Sequence, residues 1–255
     1  MVSTFARVSV LSIILIFLFI LLSFFLYSVY WLILIGVVIF VHQALYIYGM
    51  FSIRSNYFFK TIKGKEFFLH KPGILFRFDD GPDPVYTPQI LNILKTESIK
   101  ALFAITGENA KKYPEIIKRM YRENHIIANH TFSHPFNILL LRPKIIFKEI
   151  NTTNEIIKNI TGKSPVFFCP PLGHKNAIIG KVIKNLNLEP IMWDIRTKDT
   201  HVSSKKIIRS TLKKVKPKSI ILFHDGIMPL SKKDRESTIK AIKYLIKYFK
   251  QKKIL

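Results

Sequence analysis

The sequence predicts an α/β domain built on a parallel sheet, preceded by a pair of N-terminal membrane-crossing helices. Three observations predict it. Residues 8–48 are an almost unbroken run of Leu, Ile, Val, Phe and Tyr, with no Lys, Arg, Asp or Glu between Arg7 and Arg54. Beyond residue 72, short apolar runs alternate with segments of helical period, the pattern of strand-then-helix units and a parallel sheet, closed as a barrel or open. The polar clusters of that region each fall where an apolar run ends, and in such folds the loops at strand ends converge on one face.

A single straight helix over residues 8–48 would run about 60 Å at ~1.5 Å per residue, roughly twice the ~30 Å hydrocarbon core. Two spans, about 8–27 and 31–49, fit better, and the Tyr and Trp side chains of YSVYW at 27–31 would mark the turn at the headgroup level. The run far exceeds the apolar region of a cleaved signal peptide, and no small-residue cleavage site follows it. A multi-pass protein of the cell (inner) membrane is therefore expected, in contact with lipid through residues 8–49. Two spans return the chain to its starting side, where Arg7 at one end and Arg54, Lys60, Lys63 and Lys65 at the other would be cytoplasmic. One span would put the domain outside. Residues 51–71, aromatic and basic without a period, read as a juxtamembrane linker, and residues 72–255 as the folded domain.

The formal net charge is +24, and Arg7 is the only charged side chain before Arg54, so nearly all of it belongs to the domain. Such a surface suits anionic partners at a bilayer: headgroups, lipid-linked sugar phosphates or an acidic glycan. The lysines are scattered over presumed helix faces without a dense stretch, so nucleic acid is not the partner this charge predicts. One cysteine, Cys169, excludes an internal disulfide. Between Phe168 and Pro170 it reads as a small buried apolar residue rather than a nucleophile.

In order, the expected strands are 74–78, 101–105, 126–128, 166–169, 190–193 and 219–223, and the expected helices 87–96, 114–123, 144–160, 177–185, 205–215 and 236–250. The organising stretch is 74–84, ILFRFDDGPDP, an apolar strand that stops at Asp79 and Asp80. D-G and P-D-P alone are ordinary turn chemistry. Two carboxylates at the end of an apolar strand nevertheless call for a cation, since an unpaired buried one costs several kcal/mol. HTFSH supplies His130 and His134, spaced i, i+4, which a helical turn would put on one side. With a carboxylate from another element they complete a set of two histidines and one carboxylate that leaves a position open for water, as in catalytic metal sites. Solvated loop histidines would be the alternative.

FDDGPDP, NHTFSH, PPLG, the 193–199 stretch WDIRTKD and LFHD, in that order over residues 72–250, resemble the polysaccharide deacetylases with a NodB-homology domain, as does ALFAITGENAKKYPE at 101–115. The resemblance implies an irregular (β/α) barrel and metal-dependent removal of N-acetyl or O-acetyl groups from sugars of a cell-envelope glycan or a lipid-linked sugar. It implies that Asp80, His130 and His134 bind one divalent metal, usually Zn2+, and that Asp79 is the general base. His224 would be the general acid, Asp199 would orient or tune it, and the backbone N–H of Leu172 would help hold the oxyanion.

Two departures bear on activity. The family usually has Arg where this chain has Cys169, pairing with the base carboxylate, and a small hydroxyl residue where it has Arg77. Arg77 and Asp79 lie two apart on one strand and share a face, so Arg77 is expected to supply the missing guanidinium. Leu172 replaces an aromatic and Thr200 a frequent Trp, which leaves the substrate groove less defined. Two other classes stay open: a catalytically weakened carbohydrate-binding or scaffold member of the family, and a metal-dependent phosphoesterase on a similar barrel, for which no phosphate loop is present.

Overall fold

The structure, a computed structural model, describes residues 3–26, 29–69, 73–227 and 234–255. It divides into two compact units, Met1–Lys60 with Gly173–Lys181, and Thr61–Leu172 with Val182–Leu255.

In the first unit, α1 (Thr4–Leu26) and α2 (Val29–Phe51) pack along each other. Both are long and apolar enough to cross a membrane, over Thr4–Leu22 and Leu32–Phe51. Their large apolar side chains are mostly exposed, as expected of a helix that is apolar all round rather than striped towards a core. His42 Nδ1 and Ser12 Oγ, 3.0 Å apart, form a polar contact across the pair. The expected turn falls partly on residues 27 and 28, which lie outside the described residues; Tyr30 and Trp31 belong to α2. After α2 the chain folds back on its own start. The Phe5 N–H donates to Tyr57 O at 2.7 Å, and the Phe5 ring lies 5.7 Å from those of Tyr46 and Tyr57 and 5.2 Å from that of Phe58. The aromatic residues that gave this stretch no period are packed against one another.

The second unit begins with α3 (Gly64–Phe67) and continues β1 (Ile74–Gly81), α4 (Tyr86–Thr96), β2 (Leu102–Ile105), α5 (Gly107–Lys112), α6 (Pro114–Arg122), β3 (Ile126–Asn129), α7 (Pro143–Thr161) and β4 (Phe167–Phe168). After α8 (Ala177–Asn185), which straddles the two units, come β5 (Glu189–Pro190), β6 (Ile195–Arg196), α9 (Ser204–Leu212), β7 (Ser219–His224) and α10 (Glu236–Gln251). The seven strands form one parallel sheet in the order β5-β4-β3-β2-β1-β7-β6, an irregular (β/α) barrel. Strand β1 is central and buried along its whole length, as its unbroken apolar run requires.

Side-chain alternation on β1 divides structure from chemistry. Phe76 and Phe78 enter the core: Phe78 stacks on Phe103 of β2 (5.1 Å) and Phe223 of β7 (5.9 Å), and Phe76 meets Phe223 and Phe249. Arg77 and Asp79 take the other parity. The β1–β7 register sets Asp79 beside His224.

Four elements differ from expectation, two of them being α3 and β6, neither of which the apolar pattern marked. Residues 190–193 are not one strand; Glu189–Pro190 pairs with β4, the Ile191 N–H still donates to Phe168 O at 2.9 Å, and Ile191 also bridges to Ile62, with the Ile62 N–H donating to Pro190 O and the Met192 N–H to Ile62 O, both at 2.8 Å. A short piece of chain from before β1 thus occupies that place. Helix α5 was not expected, because GENAKK is too short to show an apolar period.

Gly226 follows β7 where a Cβ would come within 2.1 Å of Asp80 O and 2.7 Å of Gly81 N, both backbone atoms. Gly226→Ala should therefore displace the end of β1 and cost about 2–4 kcal/mol by thermal unfolding, with the loss largest among single glycine-to-alanine changes in the sheet loops.

Candidate active site

The end of β1 gathers the charges. The β1–β2 register shifts between Asp79 and Gly81, and Asp80 sits there with φ of 74°, a left-handed conformation that Asp tolerates better than most residues. Asn109 Nδ2 of α5 donates to Asp80 O at 2.8 Å, and the Asp225 and Gly226 N–H groups donate to Asp79 O. The backbone that aims the two carboxylates is thus tied from both sides.

Arg77 grips Asp79 with two parallel hydrogen bonds, Nε to Oδ1 and Nη2 to Oδ2, both 2.7 Å. Its Nη1 donates to Ile191 O at 2.9 Å, and its Cζ lies 5.2 Å from the centre of the Trp193 ring. Both partners are buried. Burial opposes the guanidinium charge, but Asp79 outweighs it and holds the Arg77 pKa above its ordinary value. Cys169, fully buried, has its thiol pushed up to about 12 by burial, so it stays neutral.

The histidine loop is not the helical turn that the i, i+4 spacing suggests. Residues 130–134 are irregular, with Thr131 (φ 65°) and His134 (φ 51°) left-handed, and side chains hold them. Glu149 of α7 accepts from the Phe132 and Ser133 N–H groups and the Ser133 hydroxyl. Asn129 Oδ1 accepts from the Thr131 N–H while its Nδ2 donates to Ile150 O and Asn154 Oδ1. The rings of His130 and His134 lie 4.9 Å apart. Glu149 and Asn129 were not read as site residues; an acidic side chain in a basic helix seventeen residues on gives no local signal.

Ligand atoms of Asp80, His130 and His134 lie within 4.8 Å of one another, all buried. His130 Nδ1 is 2.6 Å from Cys169 O. A carbonyl only accepts, so Nδ1 carries the proton and, in a neutral ring, Nε2 presents a lone pair. That Nε2 is 3.3 Å from Asp80 Oδ1, with His134 Nε2 at 3.6 Å from the same oxygen, which is buried without a hydrogen-bond partner. With both Nε2 atoms unprotonated, acceptors face an acceptor in a buried site, an arrangement that a cation between them satisfies, and two imidazoles with one carboxylate suit a divalent ion. Burial would raise the Asp80 pKa, but the neighbouring His130 and then the positive charge of His224 outweigh it and hold it well below the carboxylate range. Burial, then the neighbouring His130, lowers His134 to about 4, so that ring is neutral and available as a ligand.

Across the site, His224 Nδ1 is 2.8 Å from Asp199 Oδ1, and the His224 N–H donates to Asp199 Oδ2. Thr197 and Thr238 hydroxyls donate to the same carboxylate. Burial opposes the imidazolium, yet Asp199 outweighs burial and raises the pKa to about 9. Leu172, in a 3-10 turn at φ 56°, is partly exposed beside these groups. Asp79, Asp80, His130, His134, Leu172 and His224 all line one cavity of about 240 Å³. Together they can present a cation, a carboxylate base and a protonated imidazole to one small polar group.

This fold and site define a class. A polysaccharide deacetylase family model matches residues 69–191. A chitooligosaccharide deacetylase of Rhizobium leguminosarum bv. trifolii is 33% identical over 157 residues, 61% of this chain and 73% of that one. A peptidoglycan-N-acetylglucosamine deacetylase of Bacillus cereus is 38% identical over 156 residues, 61% of this chain and 56% of that protein, so the chain spans just over half of that relative's length. Among solved structures, the Bc1960 peptidoglycan N-acetylglucosamine deacetylase matches with a TM-score of 0.67 and 34% identity over 71% of this chain and 83% of its own. The chain belongs to the polysaccharide deacetylase family.

Two predictions follow from these contacts. The Asp199–His224 pair stabilises the fold in full below the ordinary histidine value of 6.5, and that contribution is lost as pH rises through about 9; melting temperatures of Asp199→Asn should lack most of this dependence. Arg77→Ser should leave Asp79 buried without a counter-ion and destabilise the domain by about 3–5 kcal/mol, whereas Arg77→Ser with Cys169→Arg should recover part of that loss in the same denaturant titration.

Proposed function

We propose that this protein is a membrane-anchored, metal-dependent deacetylase of N-acetylated amino sugars in a cell-envelope glycan or a lipid-linked sugar. The single observation that carries it is Asp80 Oδ1, buried without a partner and faced by Nε2 of both His130 and His134, with the Arg77-paired Asp79 as its neighbour. Asp80, His130 and His134 would hold one divalent cation, zinc by the habit of the family. A divalent ion there supplies Lewis acidity: it acidifies a water and polarises an acyl carbonyl.

The chain's own groups do the rest. Asp79 takes the proton of the attacking water. By the family resemblance, the backbone N–H of Leu172, which lines the same cavity, would help hold the oxygen on which negative charge develops. His224, protonated at neutral pH because of Asp199, gives its proton to the departing amine as the carbon–nitrogen bond breaks, leaving acetate and a free amino sugar. Arg77 takes the part that the family usually gives to an Arg at the position of Cys169, gripping the base from its own strand.

The two apolar helices support a hairpin that leaves residues 61–255 on the side where the chain begins. With Arg7, Arg54 and Lys60 flanking the spans that side is cytoplasmic, where a lipid-linked amino sugar is the accessible substrate. The named activities of the relatives support acetylated sugars as the substrate class.

Acetate release from N-acetylglucosamine oligomers by the full chain in detergent tests the reading. Chelation should abolish release, divalent metal should restore it, and Asp79→Asn should lower kcat by about 10²–10⁴ with metal still bound. Bound metal without acetate release would favour a carbohydrate-binding role, and phosphate release from a phosphomonoester would favour a phosphoesterase.

A further inference from the structure

The cavity that holds the two carboxylates is also lined, on its β6 side, by a cation that the proposed chemistry leaves unused. All of its lining residues belong to the second unit. Strand β6 is only Ile195–Arg196, yet it alternates: Ile195 is buried in the core with Ile221, its partner on β7, while Arg196 pairs with Leu222 and takes the other face. Arg196, Leu222 and His224 all line the cavity. His224 lies two residues beyond Leu222 on β7. Two residues are about 7 Å along a strand and a neighbouring strand is about 4.8 Å to the side, so roughly 8 Å separates the Arg196 and His224 Cα positions. That distance spans one sugar ring with its substituents, and a cavity of about 240 Å³ also suits one sugar unit.

The carboxylates nearby already have partners. Asp79 is gripped by Arg77, Asp199 pairs with His224, and Asp80 faces the two histidines. Arg196 is exposed, and among the described residues its guanidinium has no hydrogen-bond or ion-pair partner. A second guanidinium, that of Arg235, is fully buried at the same cavity, where its Nε and Nη2 donate to Gly226 O. His224 is held positive as well. A neutral acetamido sugar would leave the Arg196 donors facing water. A guanidinium presents a planar fork of donors that matches the oxygens of a phosphate or a carboxylate.

We propose that Arg196 is a specificity-determining residue: it binds an oxyanion carried by the same sugar whose acetyl group is removed, so that the substrate class is an anionic N-acetyl amino sugar. This rests on the reading of the site as a deacetylase. Two sources carry that chemistry, a phosphate on the anomeric carbon and a carboxylate on an ether side chain of the ring, and the test separates them.

The test uses the full chain in detergent with zinc bound and measures, by calorimetry, binding of N-acetylglucosamine 1-phosphate, N-acetylmuramic acid and, as the neutral reference, methyl N-acetylglucosaminide. Asp79→Asn is the background, so that turnover does not consume the ligand. At least one anionic sugar should bind about tenfold tighter than the reference, and the preference should shrink as salt rises from about 0.05 to about 0.5 M. Adding Arg196→Gln should bring the ratio to within twofold without changing affinity for the reference. Arg196→Lys, which keeps the charge but not the fork, should keep part of the preference. Because Arg196 is exposed, both variants should melt with their parent. The arm that shows the preference names the source. Anionic sugars that bind no tighter than the reference, or a preference that survives Arg196→Gln, would overturn the assignment. No acetate release from any of the three by the chain with Asp79 intact would instead sink the deacetylase reading, and the binding ratios would still decide the role of Arg196.

Discussion

The site depends on one buried ion pair, Arg77 with Asp79, two residues apart on the central strand. A strand alternates its faces, so the residues that pack the core, Phe76 and Phe78, and the residues that make the pair come from the same five-residue run at no conflict. A buried carboxylate alone is costly, and a guanidinium that matches both its oxygens offsets that cost only because its remaining donor is also satisfied, by Ile191 O, and its face rests near Trp193. The Ile191 carbonyl is in place because that segment bridges to Ile62 rather than extending a strand. An irregularity at the edge of the sheet thus completes the coordination of an arginine at its centre.

Around this pair the charges are sorted by position. Asp79 and Asp80 are adjacent in sequence, yet the left-handed backbone at Asp80 turns its oxygen towards the histidines while Asp79 stays with Arg77. His224 pairs in register with Asp79 but takes its own hydrogen bond from the opposite direction, to Asp199. Asp199 is matched to His224 and Asp80 is shared by His130 and His134, and two of the imidazoles receive opposite characters: His134 is driven neutral by burial, while His224 is driven positive by Asp199. Groups of one residue type separated in this way are suited to different tasks in one reaction.

Much of this was legible in the sequence because it is local. The alternation of apolar runs with helical periods located most strands and helices to within a few residues, and polar clusters at run ends pointed to Asp79, Asp80, His130, His134 and His224. The Arg77–Asp79 spacing predicted a shared face, and the pair is bidentate. What stayed hidden is non-local. The histidine loop is shaped by Glu149 and Asn154 across α7, so an i, i+4 spacing was read as a helical turn that these hydrogen bonds replace. Residues 190–193 were read as one strand because the apolar pattern does not reveal that the pairing with β4 is short and that Ile62 joins the other edge. Burial of the Lys175 ammonium against the Ser52 and Ser55 carbonyls has no signature in residue type.

The hydrogen bond from His130 Nδ1 to Cys169 O ties these strands of argument together. It fixes which ring nitrogen faces Asp80, and it does so through the backbone of the residue whose side chain departs from the family pattern. Because the contact is to the backbone, a change of side chain at 169 leaves the His130 hydrogen bond untouched, and under the proposed function Arg77 takes the place of the guanidinium that the family resemblance would put at 169. The side chain at 169 and the backbone at 169 thus serve two separate requirements. The first is met on β1 itself, where Arg77 lies two residues before Asp79 on the same face and grips it.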